Sequence, residues 1–185
     1  RRYHHQRFSL DDCPEYFIHA TLAAEDKRYW SHGGIDLLAT LRAAKDYLVK
    51  GRVVSGASTI TQQLIKVTQP RSRTIISKLS ECLQARKLER RWKKRQILEE
   101  YLNRLDYGNT CRGAATACWF YFNKPLADLS LAESALLAGL PNAPSRLNPI
   151  RHPKNTHQRQ NLILARMHKN GWTSSQAHSR ALREK

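Results

Sequence analysis

AAEDKRYWSHGGID, Ala23 to Asp36, places two adjacent carboxylates, Glu25 and Asp26, a histidine seven residues after the first, a Gly-Gly pair and a further Asp within about four helical turns of chain. Leu22 and the alanines before Glu25 favour a helix from Glu15 to about Trp30, and Gly33-Gly34 ends it. Both carboxylates therefore sit near a helix end that opens into a loop, where a carboxylate can face a cleft. Taken alone, the pair reads better as a solvated helix face before an ordinary glycine turn, and only the residues that follow reverse that reading.

The second informative stretch is GRVVSGASTITQQLIK, Gly51 to Lys66. Gly56-Ala57-Ser58 is flexible enough for a lid or substrate-contacting loop, and Ser58 or Thr59 can cap a helix that begins at Ile60. Within it Thr59, Gln63 and Lys66 share a face, while Gln62 points elsewhere. A hydroxyl, an amide and an ammonium together suit sugar hydroxyls and a phosphate, although a polar outer face reads the same way. A long helix is expected from Arg73 to Trp92, with Ile75, Ile76, Leu79, Leu83, Leu88 and Trp92 as core candidates. On it Lys78 and Glu81, three residues apart, form either a surface ion pair or a second catalytic carboxylate with a cation beside it.

Lys and Arg number 32 against 15 Asp and Glu, a net charge of +17, so an anionic partner is expected. Nucleic acid, an anionic membrane surface and a diphosphate substrate all satisfy that balance. The most basic run, ARKLERRWKKR from Ala85 to Arg95, carries Trp92 within it and suits a solvated face, a membrane surface or a nucleic-acid patch. The cysteines, Cys13, Cys82, Cys111 and Cys118, lack zinc-site spacing, and a disulfide is allowed but not forced. The glycines form no dinucleotide or phosphate-cradling motif.

Further helices are expected at Leu37–Lys50, with Leu37, Leu38, Leu41, Ala44 and Leu48 on one stripe and Gly51 as its stop, and at Gln96–Leu105, with Ile97, Leu98, Tyr101, Leu102 and Leu105 buried. Others begin at Ala114, cover LSLAESALLAGL as a central element, and run from about Thr156 to Lys169. Strand-like alternation is confined to Arg52–Val54, so the class is mainly α. Residues 1–185 suit a single domain with two small lobes, 1–14 being an irregular basic lead-in. No long apolar run or signal-peptide pattern occurs, and the abrupt ends, RRYHHQRF and ALREK, suggest a fragment of something longer.

These motifs together carry a resemblance. EDKRYWSHGGID, Glu25 to Asp36, resembles the first motif of the peptidoglycan glycosyltransferases, family 51 of the glycosyltransferases, found in class A penicillin-binding proteins and monofunctional transglycosylases. GASTITQQLIK resembles the second motif and Lys78-x-x-Glu81 the third. ILEEYLN, with Gly108, Gly113, Ala114-Ala115 and YFNK from Tyr121 to Lys124, resembles the fourth. LAESALLAGLPNAPSRLNP resembles the segment that closes the domain, its APSRLNP ending being closest in kind to the 1C branch. The similarity runs from about Ala20 to Met167.

The resemblance implies a mainly α, lysozyme-like, bilobed domain with a larger head lobe and a smaller membrane-facing jaw lobe. It implies polymerisation of lipid II, an undecaprenyl-diphosphate disaccharide-pentapeptide, at the outer face of the bacterial cytoplasmic membrane, with an anchoring segment outside this sequence. By the same resemblance Glu25 is the general base, aided by Asp26, and Glu81 positions the donor or its diphosphate. Lys66 and Lys78 supply positive charge to that diphosphate, Ser58, Thr59 and Gln63 line the donor site, and His32 sits near Glu25 and holds its loop. No metal ligand set and no cofactor are required, a magnesium or manganese ion being an optional aid to the diphosphate. The implied partners are lipid II, the growing lipid-linked strand, an anionic membrane surface and moenomycin-type inhibitors, with no nucleic acid. Ser77 replaces the family's usual Arg, Val67 an Asn and Tyr29 a Phe, which leaves Arg71, Arg73 or Arg86 to compensate. A lysozyme-like muramidase or lytic transglycosylase is the rival enzyme, but it has no need of the two lysines. A basic nucleic-acid or membrane module is the non-catalytic rival, and for it Glu25, Asp26 and Glu81 are liabilities.

Overall fold

The structure, a computed structural model, describes residues 6–50, 58–70, 72 and 74–184, the side chains of Tyr47 and Lys50 excepted. The HH pair of the lead-in, the Gly51 stop, the Arg52–Val54 alternation, Gly56-Ala57, Arg71 and Arg73 lie outside the described residues. Among those described, the regular structure is helical, apart from one isolated bridge between Asp106 and Arg112. Two compact units result, one of residues 1–24 with 102–185, the other of residues 25–101.

The first unit takes most of α1 (Glu15–Glu25), then α6 (Ala114–Phe122), α7 (Leu131–Gly139), α8 (Pro153–Lys169) and α9 (Ser175–Ala181). As expected, α7 is central, with Leu131, Ala132, Ala135, Leu137 and Ala138 buried, and it begins with a capping box of Ser130 and Glu133. It packs on α8, where Ile163, Leu164 and Met167 are buried. The close approach demands Gly139, since a Cβ there would lie 2.9 Å from Arg159 Cγ. Arg166 donates to the carbonyls of Ala23 and Ala24 at 3.3 and 3.4 Å, satisfying acceptors that the end of α1 leaves open. Asn103, fully buried, clamps the lead-in by donating to the Phe8 carbonyl at 3.0 Å and accepting the Phe8 N–H at 3.1 Å. α9, capped by Ser174, was not expected from the polar C-terminal sequence.

The second unit holds α2 (Leu37–Lys50), α3 (Ile60–Thr68), α4 (Ile75–Glu89) and the start of α5 (Lys94–Arg104). The continuous helix expected to Trp92 stops at Glu89, and Lys93 N–H caps back onto Gln96 before α5 begins. The core candidates are corrected: Ile75, Ile76, Leu79 and Leu83 on α4 are exposed, Ile75 by 82%, and so is Trp92 beyond its end. The side of α4 turned inward carries Glu81, Cys82, Ala85, Leu88 and Glu89 instead. It does so because polar partners wait on α3: Gln62 donates to Cys82 Sγ at 2.9 Å and Thr61 to Glu89 at 2.5 Å. On α2 the stripe Leu37, Leu38, Leu41 and Leu48 is likewise exposed. The α5 expectation holds, with Ile97, Leu98, Tyr101, Leu102 and Leu105 all buried. All four cysteines are free thiols, and burial pushes those of Cys13 and Cys118 up to about 12. Among the described residues, no helix is long and apolar enough to cross a membrane.

Candidate active site

Every residue singled out as a candidate falls within residues 25–101, the second unit. Glu25 is the last residue of α1 and is half-buried. The helix stops there, not at Trp30, because the next residue turns inward and its carbonyl accepts the Tyr29 N–H at 3.0 Å, starting a short 3-10 turn at Tyr29–Ser31. Gln63, one turn into α3, donates its amide N–H to Glu25 Oε2 at 2.9 Å. Its own Oε1 accepts the hydroxyl of the buried Tyr101 on α5 at 3.0 Å. Tyr101 was read from the sequence only as a core residue, and nothing in its periodicity marks the hydroxyl.

Asp26 is a different kind of carboxylate from its neighbour. Its side chain is 3% exposed, and Oδ2 accepts the N–H of Ile60, the first residue of α3, at 3.0 Å. Both its oxygens lie 3.0 Å from His32 Nε2, whose side chain is 6% exposed. Asp26, expected to aid Glu25, is thus bonded to His32 and to the start of α3. His32, expected to hold the Glu25 loop, lies against Asp26. Thr59 is likewise bonded within the protein. Its hydroxyl donates to the Gly34 carbonyl at 2.7 Å and accepts the Gln62 N–H at 3.2 Å, while Gln62 Oε1 accepts the Thr59 N–H at 2.9 Å. This buried capping box joins α3 to the glycine loop. Gly34 itself passes so close to α4 that a Cβ would lie 2.9 Å from the Ala85 carbonyl, and its φ of +91 suits glycine.

Asp36 caps α2 by accepting the Ala39 N–H at 2.7 Å, and Arg28 grips it with both Nε, at 3.0 Å, and Nη2. Those Arg28 hydrogen bonds, with the Ala39 N–H adding, hold the Asp36 carboxyl below its ordinary value against the effect of burial. Asp26, His32 and Asp36 each bring a ligand atom within 4.8 Å of the others. A divalent cation does not fit this donor set, since a guanidinium already grips Asp36 and Asp26 is committed to Ile60 and His32.

The third cluster joins Ser58, Lys78 and Glu81. Lys78 Nζ donates to Ser58 Oγ at 2.8 Å and to Glu81 Oε2 at 3.0 Å, so the surface-pair geometry and the proximity to the α3 loop occur together. Lys66 is exposed in the last turn of α3, with no ion pair among the described residues. Sequence reasoning missed the support behind these groups: Glu89 accepts from Lys94 at 2.8 Å and from Thr61, and Lys94 Nζ lies 4.2 Å from the centre of the Tyr29 ring. Tyr29 in turn donates to the Lys94 carbonyl at 2.7 Å, which the family's usual Phe could not do. No local pattern announces that bond, because its partners stand 65 residues apart.

A model of the transglycosylase family matches residues 1–168. Penicillin-binding protein 1A of Aquifex aeolicus (strain VF5) is 44% identical over 175 residues, 94% of this chain and 24% of that protein. Penicillin-binding protein 1A of Pseudomonas aeruginosa is 43% identical over 176 residues, 94% of this chain and 21% of that protein. The chain thus spans about a quarter or less of the length of these relatives, and both bear the name 1A, not the 1C that APSRLNP suggests. The crystal structure of penicillin-binding protein 1A from Haemophilus influenzae superposes with a TM-score of 0.60 at 27% identity, over 97% of this chain and 17% of that one.

Proposed function

Because the chain belongs to the transglycosylase family, we propose that it is a peptidoglycan glycosyltransferase, polymerising lipid II into β-1,4-linked strands with Glu25 as general base. The observation that carries this reading is the Glu25–Gln63–Tyr101 arrangement: a half-buried carboxylate at a helix end, bonded by the Gln63 amide, in the same compact unit as the Lys78–Glu81–Ser58 cluster. Glu25 takes the proton of the acceptor's 4-hydroxyl, and the oxygen attacks the anomeric carbon of the donor strand with inversion. As the new C–O bond forms, the bond to the diphosphate breaks and undecaprenyl diphosphate leaves with the electron pair. A diphosphate is already a good leaving group, so the site must stabilise negative charge more than supply a strong acid. Lys66, exposed, and Lys78, held by Glu81 and Ser58, meet that need. Glu81 then acts by aiming Lys78 at the diphosphate. No step is assigned to a divalent cation.

The substrate's lipid tail places the reaction at a bilayer, on the outer face of the cytoplasmic membrane. Supporting this, α2 and α4 expose Leu37, Leu38, Leu41, Ile75, Ile76, Leu79 and Leu83 on a chain of charge +17. An anionic membrane surface, the lipid-linked strand and phosphoglycolipid inhibitors of the moenomycin type are the partners of this reading. The test is Glu25→Gln. It should keep inhibitor binding yet lose strand growth by at least about a hundredfold, read by electrophoresis of glycan chains made from lipid II. Near-normal growth in the variant would remove Glu25 from the mechanism, and strands shortened by the parent protein would point to a lytic enzyme.

A further inference from the structure

We propose that Tyr101 is a positioning residue for proton transfer: its hydroxyl, through Gln63, keeps an amide N–H directed at Glu25. The inference rests on Glu25 being the general base. Glutamine's amide has nearly the same shape when its oxygen and nitrogen are exchanged, but the opposite hydrogen-bonding sense. Towards an ionised carboxylate one sense donates, while the other sets two acceptors face to face. With Glu25 ionised, Nε2 donates to Oε2 and Oε1 is left to accept from Tyr101, which is the arrangement observed at 2.9 and 3.0 Å.

A phenol hydroxyl can also accept, so the chain has a second self-consistent sense. Once Glu25 has taken the acceptor's proton, its O–H can donate to Gln63 Oε1, and Nε2 can turn to the Tyr101 oxygen. No covalent bond to Gln63 or Tyr101 is made or broken, and the proton stays on Glu25 until solvent removes it. The chain thus satisfies Glu25 in both protonation states without moving its carboxylate. It is rigid at both ends. Gln63 rides on a helix whose start is pinned by Asp26 and by the Thr59–Gln62 capping box, and Tyr101 is 1% exposed. Removing that hydroxyl leaves the amide free to adopt the wrong sense for part of the time.

Tyr101→Phe keeps the ring and its packing. On lipid II it should lower kcat roughly tenfold with KM within about twofold, since fixing a base in its reactive geometry acts on the chemical step rather than on binding. In a Gln63→Leu background, which has no amide to orient, Tyr101→Phe should cost no further activity, whereas general loosening of α5 would lower both backgrounds alike. Gln63→Leu alone should show the same loss in kcat, and it stands as a reading independent of how well the Tyr101 variant folds. The proposal is overturned if Tyr101→Phe has a kcat within twofold of the parent, if the two losses multiply, or if Gln63→Leu raises KM while keeping kcat. Glu25→Gln in the same assay separates the two levels. If that variant stays active the base assignment itself fails, whereas a dead Glu25→Gln beside an unaffected Tyr101→Phe sinks the positioning role alone.

Discussion

Removing the Asp26 carboxylate tests the distinction between the two adjacent acids. In Asp26→Ala the Ile60 N–H loses its acceptor at 3.0 Å and His32 Nε2 loses both oxygens, in a place where the two side chains are 3% and 6% exposed. A buried polar group left without its partner costs about 1–3 kcal/mol. Two such groups, the Ile60 N–H and the His32 ring nitrogen, come to about 2–6 kcal/mol. That is a large share of the 5–15 kcal/mol typical of a folded domain. At about 2–4 °C per kcal/mol for a chain of this size, the melting temperature should fall by roughly 4–24 °C. Thermal unfolding followed by circular dichroism measures it directly. Glu25→Gln, at the half-buried neighbour, should leave the melting temperature within about 2 °C. If Asp26→Ala melts with the parent, Asp26 does not join α3 to the loop, and a direct part in the chemistry would have to be reconsidered.

Lys66→Ala and Lys78→Ala should each weaken binding of a diphosphate-bearing substrate or inhibitor by more than about 1 kcal/mol, the upper range for an ordinary surface pair, with unchanged affinity in both returning this face to solvent. The Arg28–Asp36 grip should appear as a pH-dependent stability. Asp36 titrates below its ordinary 3.8 when folded, so the contribution is fully present above that value and is lost as pH falls through the lower folded value. The gap in urea midpoint between the parent and Arg28→Ala should therefore be constant from pH 7 to about 5 and narrow below about 4, and a gap independent of pH would contradict the assignment. Vesicles containing anionic lipid should sediment the protein and release part of it as salt rises, each basic residue near the surface being worth about 1 kcal/mol. Binding retained at high salt measures what the apolar side chains of α2 and α4 add, and no binding to any vesicle would refute the role given to both.

The mainly α class, the burial of α5 and α7, and the pairing of Lys78 with Glu81 were all legible in the sequence, because each depends on spacing within one helix. The reading that Gly33-Gly34 ends the first helix was not, since α1 stops eight residues earlier, at Glu25, where Asp26 turns inward. Periodicity tells which residues share a face, but not which face is turned inward. On α4 Ile75, Ile76, Leu79 and Leu83 point outward and Cys82 and Glu89 point in, because Gln62 and Thr61 on α3 offer them hydrogen bonds. The same limit governs the site. Glu25 and Asp26 are neighbours with the same charge, and Thr59 and Gln63 lie on one side of one helix. Only the tertiary structure separates Glu25 and Gln63, which meet across 38 residues, from Asp26 and Thr59, which are consumed in holding α3 to its loop. A hydrogen bond is decided by which atoms come within about 3 Å, and between segments so far apart in the chain that distance exists only after folding.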